Sequence, residues 1–266
     1  MYRGFKLKSF TIQSENEATR LLKIGETIFS ECKAVCEADL RTFMTASNSL
    51  DGSSITKSWF PKIEADIFIS HSHKDERAAK ILAGWFFDSF KIRSFIDSCI
   101  WGYSATLLKI IDNAYCLNKD NQTYSYDRRN QTTSHVNMML ASAISMMIDK
   151  AECLIFLNTP NSIVPTESII KTESPWLYYE IGICQTIRKQ IPDRVLNEGL
   201  KIFSRKEYFE KAIQIEYEID LSHLNELNFE ILNIWANSGT LKKGPIALDI
   251  LYSLSPEKKY SNNFHS

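Results

Sequence analysis

"DIFISHSHKDE", Asp66–Glu76, decides how this chain is read. Its first half is a compact apolar run closed by polar residues, the pattern of a short strand buried on both faces. Its second half carries two chemistries. In one, His71, His73 and Asp75 alternate along an extended loop and project to one side as metal ligands. In the other, the loop opens a helix over "DERAAKILAGWFFDSF" (75–90). That helix carries Ala79, Leu82, Phe86 and Phe90 on one face, with Ser72 as its cap and Asp75 and Glu76 at its positive end. A hydrolytic zinc site of the first kind wants a His directly after the Asp, a nearby glycine and two or more further ligands. Here Glu76 follows Asp75, no glycine follows Asp75 until Gly84, and only His135, His223 and His265 remain. The strand–loop–helix reading is preferred, with no metal. Its plainest form leaves His71 and His73 as exposed loop residues.

The alternation continues outward. "KIRSFID" (91–97) predicts a second strand, "YSATLLKIIDNAY" (103–115) a helix, and "CLNKDNQTYSYDRRNQTTS" a polar excursion spanning 117–134. A helix over 135–151, a strand over "ECLIFLN" (152–158) and a helix over 174–190 follow. "GLKIFS" and "IQIEYEI" are further strand candidates. Short apolar strands alternating with helices imply a parallel sheet covered on both faces, an α/β fold. Upstream, "RGFKLKSFTI" reads as a short strand. Leu21, Ile28, Cys32, Val35 and Phe43 mark a long amphipathic helix, and "SNSLDGSSITKS" reads as a linker. The division expected is an N-terminal strand and helix extension (1–60), an α/β domain (61–227) and a tail of closing helices (228–266).

Bulk properties narrow the function. At 44% hydrophobic and 24% charged residues, the 266-residue chain supports a sizeable core. A net charge of −1 without a long basic run argues against nucleic acid or an anionic membrane as partner. No apolar stretch approaches the roughly 20 residues of a spanning helix. The opening residues lack an apolar leader, so a cytoplasmic protein is expected. The six cysteines form no Cys-x-x-Cys pair; Cys153 and Cys184 sit in apolar runs and read as reduced core residues.

The helix at 174–190 is the best-signalled element. Ser174 is an N-cap and Pro175 suits the first helical position. Trp176 and Glu180 are four apart and share a face, which Ile183 and Ile187 continue inward. An acid on an apolar stripe needs a reason, because burying an unpaired carboxylate is costly. In a doubly wound sheet, ligands gather at the carboxyl ends of the strands. Ser70, Asp97 and Asn158 end strands there. Ser70, His71 and Ser72 offer hydroxyl and backbone donors to a phosphate, and Asp97, Trp101 and Tyr103 occupy the next loop. Arg128, Arg129 and His135 flank the polar excursion, where a basic pair suits a diphosphate but a solvated loop is the simpler reading.

Three ordered blocks carry a family resemblance: "DIFISHSHKDE", "SFID" and "CLIFLN" with "SPWLYYEIG". Together they resemble the Toll/interleukin-1 receptor (TIR) domain, across about Ile63 to Leu227, and more narrowly the bacterial TIR proteins of antiphage defence, including those of Thoeris systems. The resemblance implies a flavodoxin-like parallel sheet and cleavage of NAD, with ADP-ribose cyclised or conjugated into a signal. Glu180 matches the family's catalytic glutamate, and Trp176 the aromatic four residues before it. Ser70, His71, Ser72, Asp97, Trp101 and Tyr103 would contribute to substrate binding. NAD is then a consumed substrate and no resident cofactor is implied. The partners implied are copies of the chain itself and a downstream effector sensing the product. The chemistry is coherent: nicotinamide in NAD is already a cationic leaving group, and a carboxylate steadies the oxocarbenium-like ribose left behind. The alternative is a non-catalytic TIR module that associates through the region of Trp101 and Tyr103. The long 117–134 segment and residues 1–60 depart from the family pattern.

Overall fold

The computed structural model describes the chain except residues 9, 32–38, 120–121, 166–169, 197–216, 239–241 and 257–266. The order begins β1 (Arg3–Lys8), α1 (Glu15–Glu31), α2 (Gly52–Trp59), β2 (Ile67–Ser70), α3 (Glu76–Phe90) and β3 (Ser94–Ile96). It continues with α4 (Ser98–Tyr115), α5 (Tyr126–Lys150), β4 (Cys153–Asn158), β5 (Val164–Pro165), β6 (Ile170–Thr172) and α6 (Pro175–Thr186). It closes with α7 (Asp193–Leu196), β7 (Tyr217–Glu218), β8 (Asn225–Leu227), α8 (Phe229–Ser238) and α9 (Ile246–Leu254).

Five strands form one sheet in the order β3-β2-β4-β1-β8. Every neighbouring pair is parallel. The protein is therefore α/β, with a parallel sheet flanked by helices, an arrangement compatible with a flavodoxin-like fold. Ile67, Phe68 and Ile69 of β2 and Leu154, Ile155 and Phe156 of β4 are wholly enclosed. That enclosure explains why both strands read as unbroken apolar runs rather than alternating ones. The chain leaves β2 for β3 on one side and returns across β2 to reach β4 on the other. Right-handed crossovers then put α1 and α3 on one face and α4, α5 and α6 on the opposite one. Consistently, α1 rests on α3, and α5 packs against α4 and α6.

The α1–α3 crossing brings two backbones into contact. A Cβ added at Gly84 would stand 2.0 Å from the Leu21 carbonyl oxygen, and one at Gly25 would stand 1.9 Å from that of Lys80. On α3, Ala79, Leu82, Phe86 and Phe90 all face inward, as their spacing indicates. Phe90 stacks on Trp235 of α8 at 4.0 Å between ring centroids. Cys153 and Cys184 are buried free thiols.

Several sequence expectations change. Residues 1–60 are not an appendage: β1 is an interior strand, paired with β4 on one side and β8 on the other. Its alternating pattern arises because Phe5 and Leu7 enter the core while Lys6 and Lys8 reach Glu226 on β8. The tail is tied back too, since Arg3 donates to the carbonyls of Tyr252 and Ser255 at 3.0 and 3.1 Å. The expected linker folds into α2, because Asp51 caps it by accepting from the Ser53 and Ser54 amides. The first helix is described as far as Glu31, and Phe43, expected on the same helix, lies in a short 3-10 turn (Leu40–Phe43). Much of the polar excursion belongs to α5, which Ser125 caps through the Arg128 amide. Polar residues on an exposed first stretch of helix carry no periodic apolar signal. β7 falls within the strand candidate "IQIEYEI", but its antiparallel sheet with β5 and β6 was not foreseen. Cys32 and Val35 of the expected first helix and the "GLKIFS" strand candidate lie outside the described residues. Among the described residues, no helix is long and apolar enough to cross a membrane.

Candidate active site

The direction of the chain reverses between β2 and β4, and the crevice outside the carboxyl ends of such strands is where open α/β sheets bind ligands. Four polar side chains converge there: Ser70 at the end of β2, His71 directly after it, Asp97 directly after β3, and Glu180 in the second turn of α6. All four are 0% exposed. The Ser70 hydroxyl donates to Glu180 Oε2 at 2.6 Å. Asp97 Oδ1 accepts from the Ser98 amide at 2.7 Å and Oδ2 from the His71 amide at 3.4 Å. His71 Nδ1 lies against Asp97 Oδ1. Glu180 Oε1 receives no N–H or O–H donor among the described residues, and the Glu180 and Asp97 carboxyl groups interact directly.

Electrostatics follow from that enclosure. Burial pushes the Glu180 carboxyl well above the usual range, and the nearby Asp97 charge adds to the effect. Burial likewise raises Asp97, against the pull of the hydrogen bonds it accepts. Burial lowers His71 to about 4, so its imidazole is neutral at neutral pH. Two adjacent carboxyl groups in a dry site cannot both ionise cheaply, so the pair holds a proton between them.

Local sequence explains how Glu180 arrives there. Ser174 caps α6 by accepting from the Leu177 amide, and Pro175 occupies the first turn. The buried stripe is Leu177, Glu180, Ile181 and Cys184. This corrects the expected stripe: Trp176, Ile183 and Ile187 are only partly buried, and α6 ends at Thr186 instead of continuing to residue 190. Trp176, partly buried one turn before Glu180, lies edge-on to Tyr179 at 6.4 Å. Tyr179 is itself held by Ser145, 2.6 Å away on α5.

The other expected site residues fare differently. His71 is buried while His73 is exposed, so the two do not face one way as ligands or as loop residues. Among the described residues, no group of three or more His, Cys, Asp or Glu is arranged to hold a metal ion. Ser72 makes no side-chain cap bond. Trp101 and Tyr103 are not in a loop: α4 begins at Ser98, immediately after its N-cap Asp97, and so carries both. Tyr103 packs partly buried against the core, and the side chain of Trp101 falls outside the described residues. Arg128 donates to the carbonyls of Tyr115 and Leu117, and Arg129 pairs with Asp112, so this basic pair serves the fold. A shallow groove of about 330 Å³, lined by residues including Gly52, Thr56, Met139 and Ser142, takes in His135 but none of Ser70, His71, Ser72, Asp97, Trp176 and Glu180.

One structural contact beside the site escaped the sequence reading. Asp75, expected to suit the positive end of α3, stands at its N-cap position but makes no side-chain cap bond. Its carboxylate accepts instead from Thr159 Oγ1 at 2.5 Å and from Asn161 Nδ2 at 2.7 Å. It thus straps the loop after β2 to the loop after β4, across the point where the strand order reverses. The only sequence signal was the polar run "NTPNS" (158–162) following the strand. Asp75→Ala leaves both donors without their acceptor and should lower unfolding free energy by about 1.5–3 kcal/mol. Urea denaturation checks this; a midpoint equal to that of the parent protein would mean that the strap carries no load.

No family model, curated protein or solved structure matches the chain. Fold and site alone define its class: an α/β protein with an enclosed acid pair at the carboxyl ends of a parallel sheet.

Proposed function

We propose that this chain is a TIR-like enzyme that cleaves the nicotinamide–ribose bond of NAD, with Glu180 as the essential carboxylate. One observation carries the reading. A glutamate stands in the middle of the buried stripe of α6, at the strand ends, hydrogen-bonded to Ser70 and pressed against Asp97. Leucine would fill that position at far lower cost. Acids perturbed by burial and by a like-charged neighbour cluster at functional sites.

The chemistry asks little of the protein. The bond from C1′ of the ribose to the nicotinamide nitrogen breaks, its electron pair leaves with nicotinamide, and the ring becomes neutral. Positive charge develops on C1′ and the ring oxygen, where ionised Glu180 steadies it. An acceptor then adds to C1′. With water, one proton is released; with a nucleophile of the same ADP-ribose, a ring closes. Ser70 orients the Glu180 carboxylate, and Trp176, one turn before it, offers a flat wall for a cationic or purine ring. Because Glu180 is enclosed, NAD binds only when the crevice opens, which suits an enzyme switched on by assembly or by an infection cue. The signal formed would act on a downstream effector in antiphage defence.

The enclosure of Glu180 also favours a second reading, a non-catalytic TIR module in which the acid cluster serves the fold alone. Incubation of the full-length protein with NAD, alone and under conditions that drive self-association, separates the two. Mass spectrometry should find free nicotinamide and an ADP-ribose-derived nucleotide. An associated, folded protein that leaves NAD intact points to the module.

A further inference from the structure

We propose that Asp97 is a positioning residue for Glu180: it keeps the proton on Glu180 while the crevice is closed and sets the pH at which that carboxyl ionises. This rests on Glu180 as the working acid of the site. The asymmetry between the two acids supports it. Asp97 accepts two backbone amides, from Ser98 and His71, and meets His71 Nδ1. Glu180 accepts one hydroxyl, from Ser70, and its Oε1 has no donor among the described residues. Hydrogen bonds donated to a carboxylate favour its ionised form. The negative charge of the pair therefore belongs to Asp97 and the shared proton to Glu180.

The charged and titratable groups facing the pair do not reverse this. From the loop after β2 come His71, which is neutral at neutral pH, and Asp75. From α3 come Glu76 and Lys80, which pair with each other at 2.5 Å. Asp97 itself follows β3, and Ser98 opens α4. With no free cation among these groups, a proton is the cheapest counter-charge for Glu180 in the closed state.

A substrate with a cationic ring changes that balance. The nicotinamide charge beside Glu180 does what the proton did, and the proton passes to solvent as the crevice opens. Asp97 thus suppresses chemistry in the closed form without touching the reacting atoms. Its charge raises the pH needed to ionise Glu180, so activity rises with pH through that value. Asp97→Asn removes the charge and leaves one acceptor oxygen for the Ser98 and His71 amides. Glu180 then ionises at lower pH, and the acid limb of activity moves down.

Two measurements on the full-length protein test this. Infrared difference titration without NAD should find a protonated carboxyl persisting above the ordinary carboxyl range. It should vanish in Glu180→Gln and titrate about one pH unit or more lower in Asp97→Asn. The pH profile of NAD consumption should show the same downward displacement, with roughly tenfold greater activity on the acid limb. A parent protein without any such carboxyl overturns the proposal, as does an Asp97→Asn profile superimposed on that of the parent. A carboxyl titration that behaves as expected in a protein that consumes no NAD supports the Asp97–Glu180 assignment and removes the NAD reading alone.

Discussion

Glu180→Gln is expected to abolish NAD cleavage, by about 10²–10⁴-fold, and at the same time to make the protein more stable at neutral pH. The first effect follows from the proposed reaction. A neutral amide cannot steady the positive charge that develops on the ribose, whereas its shape still fits beside Ser70. The second follows from burial. The Glu180 carboxyl is pushed up in the folded protein, by enclosure first and by Asp97 second. A carboxyl raised in this way adds stability only while it is protonated. That stability is fully present below the unfolded value, about 4.3, and is lost as pH rises through the folded value. The glutamine variant has nothing to lose across that window. Its amide donates to Asp97 and its carbonyl accepts from Ser70. Its advantage over the parent should therefore be small near pH 4 and grow towards pH 8. Each unit of upward displacement corresponds to about 1.4 kcal/mol, and each kcal/mol to roughly 2–4 °C in melting temperature for a chain of this size. Melting curves at several pH values, beside nicotinamide release, measure both effects. Equal stability at every pH would show that the acid pair is not strained, and undiminished NAD cleavage would remove Glu180 from the chemistry.

The other large effect belongs to the α1–α3 crossing. Gly84→Val should cost about 3 kcal/mol or more, at or beyond the upper end for overpacking. The obstructing atoms are backbone: the Leu21 carbonyl oxygen at 2.0 Å from an added Cβ, and its carbon at 2.9 Å. A flexible side chain turns away from such a contact, but a helix backbone must slide bodily. Gly25→Ala meets the same obstacle from α1, at the Lys80 carbonyl. Gly182 in α6 is the contrast, because nothing lies within 4 Å of a Cβ built there. Gly182→Ala should stabilise the helix by about 0.5–1 kcal/mol, since only the conformational freedom of glycine is removed. Denaturation midpoints for the three variants decide the matter. A tolerated Gly84→Val would mean that α1 does not seat closely on α3.

How far the sequence reaches is best seen in single elements. β2 and β4 were legible because strands covered on both faces are apolar at every position, a pattern that no neighbour needs to explain. α3 and α6 were legible from periodicity and from the caps written into them, Ser174 and Pro175 above all. β1 was legible as a strand but not as an interior one. Its alternation marks one buried face, and pairing is decided by partners far along the chain. Asp75 was misjudged because its type and position suit a helix cap, while Thr159 and Asn161 lie in another loop altogether. Trp101 and Tyr103 were assigned to a loop because Asp97, although of a type that caps helices, was read only as the end of a strand and not as the cap of the next helix.

Alone, then, the chain dictated what depends on near neighbours: the apolar strands, the helical spacing, and the odd presence of an acid on the inward face of α6. Distance along the chain hides the rest. Tertiary folding inserted β1 between β4 and β8 and brought Ser70, His71, Asp97 and Glu180 from three separate segments into one dry space. The reason is physical. Hydrophobic periodicity records which side of an element faces inward, but the field that moves a proton between two carboxyl groups exists only once packing has expelled the water around both.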